Sequence, residues 1–143
     1  MPGYGIQYTE KEWFAMAGVS KGAVGEVLAA RFLRSKGYTI VASNYRCRFG
    51  EIDIIASQGQ YIAFVEVKTR SEDAYYAPRE AVTTMKQNRI LKTAGLYLQT
   101  HATDLQPRFD VIEIVTKKDR PMEVLEIDHL MSAYETGDLH ASF

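Results

Sequence analysis

Four charged residues stand close together in the first half of this chain, in Gly50-Glu51-Ile52-Asp53 and Glu66-Val67-Lys68. Both groups adjoin strongly apolar runs, Ile52-Asp53-Ile54-Ile55-Ala56 and Tyr61-Ile62-Ala63-Phe64-Val65. Acids in such runs are costly unless something compensates their charge. A hard divalent ion, Mg²⁺ or Mn²⁺, would do so, because such ions take carboxylate oxygens and keep waters available for reaction. The chemistry that fits is metal-assisted attack on a phosphodiester, with an ion that polarises the phosphate and acidifies a bound water. A lysine two residues from a ligand would orient the nucleophile or stabilise the extra negative charge of the transition state.

Further residues extend this set. Glu26 lies within the apolar arc of a helical stretch, facing the wrong way for a solvated acid, and could bind the ion through water or hold a second one. Lys86 and Arg89, near the start of another helical stretch, are natural phosphate contacts. An E-x-K pair alone is an ordinary strand ion pair. Asp53 in the same apolar setting is what makes it a candidate site. Asp110 reads as a structural residue at a strand end. Tyr75, Tyr76 and Tyr97 have faces on which bases could stack, although packing is their expected use.

Charge distribution is compatible with a polyanionic partner. The net charge is only -1, but residues 21–100 carry +5 and the residues after Thr100 carry -5. A basic central stretch suits phosphate binding. The length of 143 residues is that of one domain with a real core. A single cysteine, Cys47, excludes an internal disulfide and a cysteine-based zinc site. No apolar run reaches the roughly 20 residues of a membrane span, and no signal peptide opens the chain, so the expectation is a cytoplasmic protein without a membrane partner.

The elements that must position these residues follow from periodicity. Residues 1–20 read as an extension with a short docking helix after the Thr9-Glu10-Lys11-Glu12 capping pattern. One domain is expected over 21–136, followed by a tail, 137–143. A helix from about Gly22 to Lys36, closed by Gly37, precedes strands at about Tyr38–Arg46, Gly50–Ala56 and Tyr61–Thr69. A loop, Ser71–Pro78, leads to a second helix at Thr84–Thr100, capped by Thr84-x-x-Gln87. A strand over Arg108–Val115, a hairpin partner near Met122–Ile127 and a short helix near Leu130–Tyr134 complete the chain. The order α-β-β-β-α-β plus a C-terminal strand and helix predicts an α/β (α+β) fold with a mixed sheet.

Strand parity links elements to site. Glu51 and Asp53 share one face of their strand, and Glu66 and Lys68 one face of theirs. A Gln58-Gly59 turn would set Glu51 opposite Glu66, whereas a Gly59-Gln60 turn would set Asp53 there. Either register places all four charged groups on one face of the hairpin.

These residues resemble a known family. Gly22-x-x-Gly25-Glu26, Gly37-Tyr38, Asn44-Tyr45-Arg46-Cys47-Arg48-x-Gly50-Glu51-Ile52-Asp53 and Phe64-Val65-Glu66-Val67-Lys68-Thr69-Arg70 are similar to the bacterial YraN-type family of endonuclease-like proteins. The likeness runs on through Ala81-Val82-Thr83, Lys86-Gln87, Tyr97-Leu98 and Arg108-Phe109-Asp110-Val111, from about Gly22 to Tyr134. Those proteins resemble archaeal Holliday junction resolvases, with a restriction-endonuclease-like core and a PD-(D/E)xK site. The proline of that motif is absent here, but it is no ligand.

The resemblance implies a site of Asp53, Glu66 and Lys68, with Glu26 contributed by the first helix. Asp53, Glu66 and the Val67 carbonyl would hold Mg²⁺ or Mn²⁺, Glu26 would assist through water, and Arg46, Arg48, Arg70, Lys86 and Arg89 would contact nucleic acid. The expected activity is a metal-dependent endonuclease on DNA rather than RNA, at branched or single-stranded structures, with a homodimer serving two-strand cleavage. The alternative is a catalytically silent nucleic-acid-binding or scaffold module of the same fold. Glu51 receives no chemical step.

Overall fold

The protein is described from a computed structural model, over residues 21–74, 83–120 and 123–134. The expected N-terminal docking helix, Tyr75, Tyr76, the rest of the loop to Pro78, Met122 and the tail lie outside these residues.

Helix α1 (Lys21–Ser35) is followed by β1 (Thr39–Cys47), β2 (Gly50–Gln58) and β3 (Tyr61–Ser71). A single 3-10 turn (Glu72–Ala74), helix α2 (Thr84–Thr100), β4 (Gln106–Thr116) and β5 (Val124–Leu130) complete the order. The strands form one mixed sheet in the order β1-β2-β3-β4-β5. β3 and β4 are parallel, and the other neighbours are antiparallel. A parallel neighbour needs a crossover, and the chain supplies α2 for it. Among the described residues no helix is long and apolar enough to cross a membrane.

Alternation along β3 builds two cores from one strand. Ala63 and Val65 join Leu28, Phe32 and Leu33 of α1, with Ile54, Ile112 and Ile114, on one face. Ile62 and Phe64 join Ile90, Ala94 and Tyr97 of α2, with Ile55 and Phe109, on the other. Each helix thus covers one face, and the central strand reads as an unbroken apolar run because both its faces are buried. Tyr97 is 5% exposed in this second core, stacked on His101 and edge-on to Tyr45, so it is a packing residue.

Two local features set how closely the layers approach. Gly37 has φ +90°, the left-handed residue that closes α1. A Cβ on Gly25 would lie 2.1 Å from Thr69 Oγ1 of β3, so only glycine lets this part of α1 settle on the sheet.

Three sequence expectations need correction. The expected helix at Leu130–Tyr134 does not form: Leu130 is the last residue of β5 and pairs with Val111. The chain then turns, with Ser132 at φ +51°. Its N–H donates to Asp110 Oδ1, and the Ala133 N–H to the Phe109 carbonyl, so tertiary partners replace helical ones. The cap of α2 is Thr83, not Thr84, with its hydroxyl accepting from the Lys86 N–H at 3.2 Å. Asp110 is inside β4 rather than at its end, 1% exposed, and accepts from Arg108, His129 Nε2 and the Ser132 N–H. Arg108 also donates to the Tyr38 hydroxyl, which ties β4 to the segment that leaves α1. Burial alone would raise the Asp110 carboxyl, but these hydrogen bonds hold it below the usual range.

Candidate metal centre

The site forms where the sheet opens around Asp53. Gln58 pairs with Tyr61, so the hairpin loop is Gly59-Gln60, and Gly59 at φ +57° meets its left-handed requirement. Of the two registers compatible with the sequence, this is the one that brings Asp53 level with Glu66. The β2–β3 pairing ends at Ile54 and Val65. Beyond it the Asp53 carboxylate takes over, with Oδ2 accepting the Val67 N–H at 2.8 Å.

On the other side of β2 the pairing runs from Ser43–Ile54 to Tyr45–Ile52 and skips Asn44 and Asp53. Asn44 is left-handed there, at φ +53°. Ile52 and Ile54 belong to opposite cores although they are two residues apart, which regular alternation forbids. The break falls at Asp53. Simple parity, which would put Glu51, Asp53, Glu66 and Lys68 on one regular face, therefore does not describe how these groups meet.

Three carboxylates converge at the break. Glu26 from α1, Glu51 and Asp53 each offer an oxygen, all within 4.8 Å of one another. Glu66 stands on the α2 side and lines, with Glu51, Asp53, Thr83, Lys86 and Arg89, a cleft of about 500 Å³. Asp53 is raised to about 6, first by burial and then by the negative charges of Glu26 and Glu66 and a hydrogen bond with Glu26. The Val67 N–H opposes that rise without overcoming it. Glu66 is 8% exposed, and its Oε1 is paired with the Lys86 ammonium. Its Oε2 is buried and has no hydrogen-bond partner among the described residues. The Tyr134 phenol is also pushed up, by burial and then by Glu66 and Asp110. A crowd of hard oxygen donors with one buried oxygen unsatisfied is what a hard divalent cation would complete. The residues present fit Mg²⁺ or Mn²⁺.

The other residues singled out in the sequence distribute as follows. Lys68 lies beside Glu113 in the parallel register with β4, half-buried and outside the lining of the cleft. Arg70, also half-buried, is level with Val115. Arg46 reaches Glu51 at 3.4 Å. The Arg48 guanidinium stacks 4.7 Å from the Phe49 ring, on which the Lys92 ammonium also rests at 5.9 Å. Arg89 lines the cleft and contacts the Met85 sulfur. Burial opposes a low value for the Cys47 thiol, but N–H groups of Phe49 and Gly50, the Thr93 hydroxyl and Arg48 bring it below the usual one.

Two residues named in the sequence take parts in the site that the sequence does not assign them: Glu51, given no chemical step, and Lys86, given only a phosphate contact. Glu51 joins Glu26 and Asp53, and its signal was the i, i+2 spacing of two acids in an apolar strand. Lys86 touches Glu66 itself, and its signal was a cation in the first turn of a helix, where acids are favoured.

The chain matches the profile of the Uncharacterised protein family UPF0102 over residues 25–114, which span every residue of this centre. It belongs to that family. A UPF0102 protein of Nocardia farcinica is 49% identical over 115 residues, covering 79% of this chain and 87% of its relative. One from Syntrophus aciditrophicus is 50% identical over 99 residues, 68% of this chain and 78% of that protein. The UPF0102 protein TTE1452 of Caldanaerobacter subterraneus is 40% identical over 114 residues, covering 79% and 93% respectively. The UPF0102 match takes in α1 from Gly25 and runs to Ile114 of β4, so it ends before β5.

Proposed function

We propose that this protein is a Mg²⁺- or Mn²⁺-dependent endonuclease that cleaves DNA phosphodiesters at branched or single-stranded structures in the cytoplasm. The observation that carries the reading is the convergence of Glu26, Glu51 and Asp53 at a break in the sheet, beside a buried Glu66 oxygen without a hydrogen-bond partner among the described residues. Asp53 and Glu66, with the Val67 carbonyl, would hold the ion, and Glu26 and Glu51 complete the negative pocket around it. When bound, the ion would polarise the phosphate and acidify a water.

The chain's own residues have distinct tasks. Asp53 accepts the Val67 N–H, which fixes its carboxylate against β3. Lys68, on the strand of Glu66, would orient the attacking water or stabilise charge on the phosphorus oxygens. Lys86 and Arg89, in the cleft at the start of α2, would draw the backbone phosphates in, and Arg46, Arg48 and Arg70 would add contacts to the nucleic acid outside it. Cleavage of both strands of a branched substrate would need two copies of the site, so a homodimer belongs to this reading.

One observation favours a catalytically silent nucleic-acid-binding module instead: the Lys86 ammonium neutralises Glu66 without an ion. Incubating the protein with branched, flapped, single-stranded and duplex DNA and RNA, with Mn²⁺ or EDTA, separates the two. Nuclease activity requires Mn²⁺-dependent cuts of at least one substrate, reduced at least a hundredfold by Glu66→Gln. Binding without cuts, or cuts unaffected by the substitution, would exclude this site as a nuclease.

A further inference from the structure

The first turn of a helix exposes unpaired N–H groups and carries the positive end of the helix dipole, so acids are favoured there and cations are not. The first turn of α2 has no acid, and its third residue is Lys86. Lys86 is not placed there to serve the helix: its N–H uses the Thr83 hydroxyl, and its side chain reaches across to Glu66. The two partners differ in environment. Glu66 is 8% exposed, whereas the Lys86 side chain is 55% exposed and on a flexible stem. The ammonium satisfies one carboxylate oxygen and leaves Oε2 buried and, among the described residues, without a hydrogen-bond partner. A half-solvated ammonium that satisfies half of a buried carboxylate is a weak partner, and a divalent ion bound by the same carboxylate would outcompete it.

We propose that Lys86 is a displaceable counter-ion. Its ammonium holds Glu66 while no divalent ion is bound, and ion binding releases it toward a nucleic-acid phosphate in the same cleft. The inference rests on the metal-dependent reading above and adds a coupling between the two ligands. An ion that frees Lys86 raises the affinity for phosphate, and by reciprocity nucleic acid tightens the ion. Arg89, on the same wall of the cleft, would receive the phosphate together with the released ammonium.

The test is calorimetric titration of the full chain with Mn²⁺ in the absence of nucleic acid, for wild type, Lys86→Met, Lys86→Gln and Glu66→Gln. Melting curves in EDTA establish that each variant is folded. A companion measurement follows binding of a fluorescently labelled, phosphorothioate-linked single DNA strand by anisotropy, with Mn²⁺ or EDTA. Removing the competing ammonium should tighten Mn²⁺ binding by about fivefold. Mn²⁺ should tighten DNA binding by wild type, and that gain should be about fivefold smaller in both Lys86 variants, which keep only the ion's own contact with the phosphate. Equal or weaker Mn²⁺ binding by the Lys86 variants, with Glu66→Gln still losing the ion, overturns the counter-ion role and leaves the metal centre standing. Absence of Mn²⁺ binding by wild type overturns both.

Discussion

Replacing Asp53 by Asn should stabilise the metal-free protein, and the gain should grow with pH. In the folded chain Asp53 is raised from an ordinary 3.8 to about 6, because burial and the charges of Glu26 and Glu66 disfavour its ionised form. The full difference corresponds to about 3 kcal/mol. Solvent reaches part of the side chain, so about 2 kcal/mol is the working figure. Below pH 3.8 the folded and unfolded chains both keep the proton, and nothing is lost. Between 3.8 and 6 the unfolded chain releases it while the folded chain retains it, so folding is progressively penalised. Above pH 6 the penalty is complete. Asn can still accept the Val67 N–H and has no charge to bury. Unfolding a chain of this size carries an entropy of about 0.3 kcal/mol/K, so 2 kcal/mol is about 6 °C in Tm. The assay is thermal unfolding of wild type and Asp53→Asn in EDTA from pH 4 to 8. The Tm of the variant minus that of wild type should rise by about 6 °C across the range. A difference that stays flat, or falls, would refute the crowding of carboxylates at the break in β2.

Asp110 is expected to behave with the opposite sign. Asp110→Asn leaves the largely buried Arg108, 11% exposed at its side chain, unbalanced and should cost about 3 kcal/mol at pH 7. The gap between variant and wild type in denaturant melts should close as pH falls below the ordinary carboxylate range, because the stability contributed by a depressed carboxyl is lost in acid. Gly25→Ala forces its methyl onto Thr69 and should lower stability by about 1–3 kcal/mol in the same melts. Arg48→Ala should weaken DNA binding across all sequences and reduce the slope of log affinity against log salt by about 1.

Much of this fold is readable from period alone. The bounds of α2 coincide with the expected Thr84–Thr100, and α1 and β1 to β4 fall within two residues of expectation, because each apolar pattern is long and has a glycine or polar break at its ends. β5 runs three residues past its expected end, to Leu130. The segment after β5 was misread because its N–H groups find partners on Phe109 and Asp110, distant in sequence. The carboxylates of the site were visible as acids in apolar surroundings, and Glu26 as a helix acid on the wrong face. Their arrangement was not visible in the same way. It depends on Asn44 adopting a left-handed backbone and on Asp53 replacing a strand hydrogen bond, both of which interrupt the alternation that parity assumes. The partnership of Lys86 with Glu66 joins residues 20 apart across the α2 crossover, a contact no local pattern encodes.

The most direct test joins ion binding to bond cleavage in one titration. The initial cleavage rate of whichever DNA structure is cut should be followed against Mn²⁺ concentration and compared with calorimetric filling of the site on the same preparation. The two curves should share a midpoint for wild type, and Asp53→Asn should lose both. Cleavage that persists in Asp53→Asn, or a rate indifferent to Mn²⁺, would contradict a metal-dependent nuclease centre built on Asp53 and Glu66.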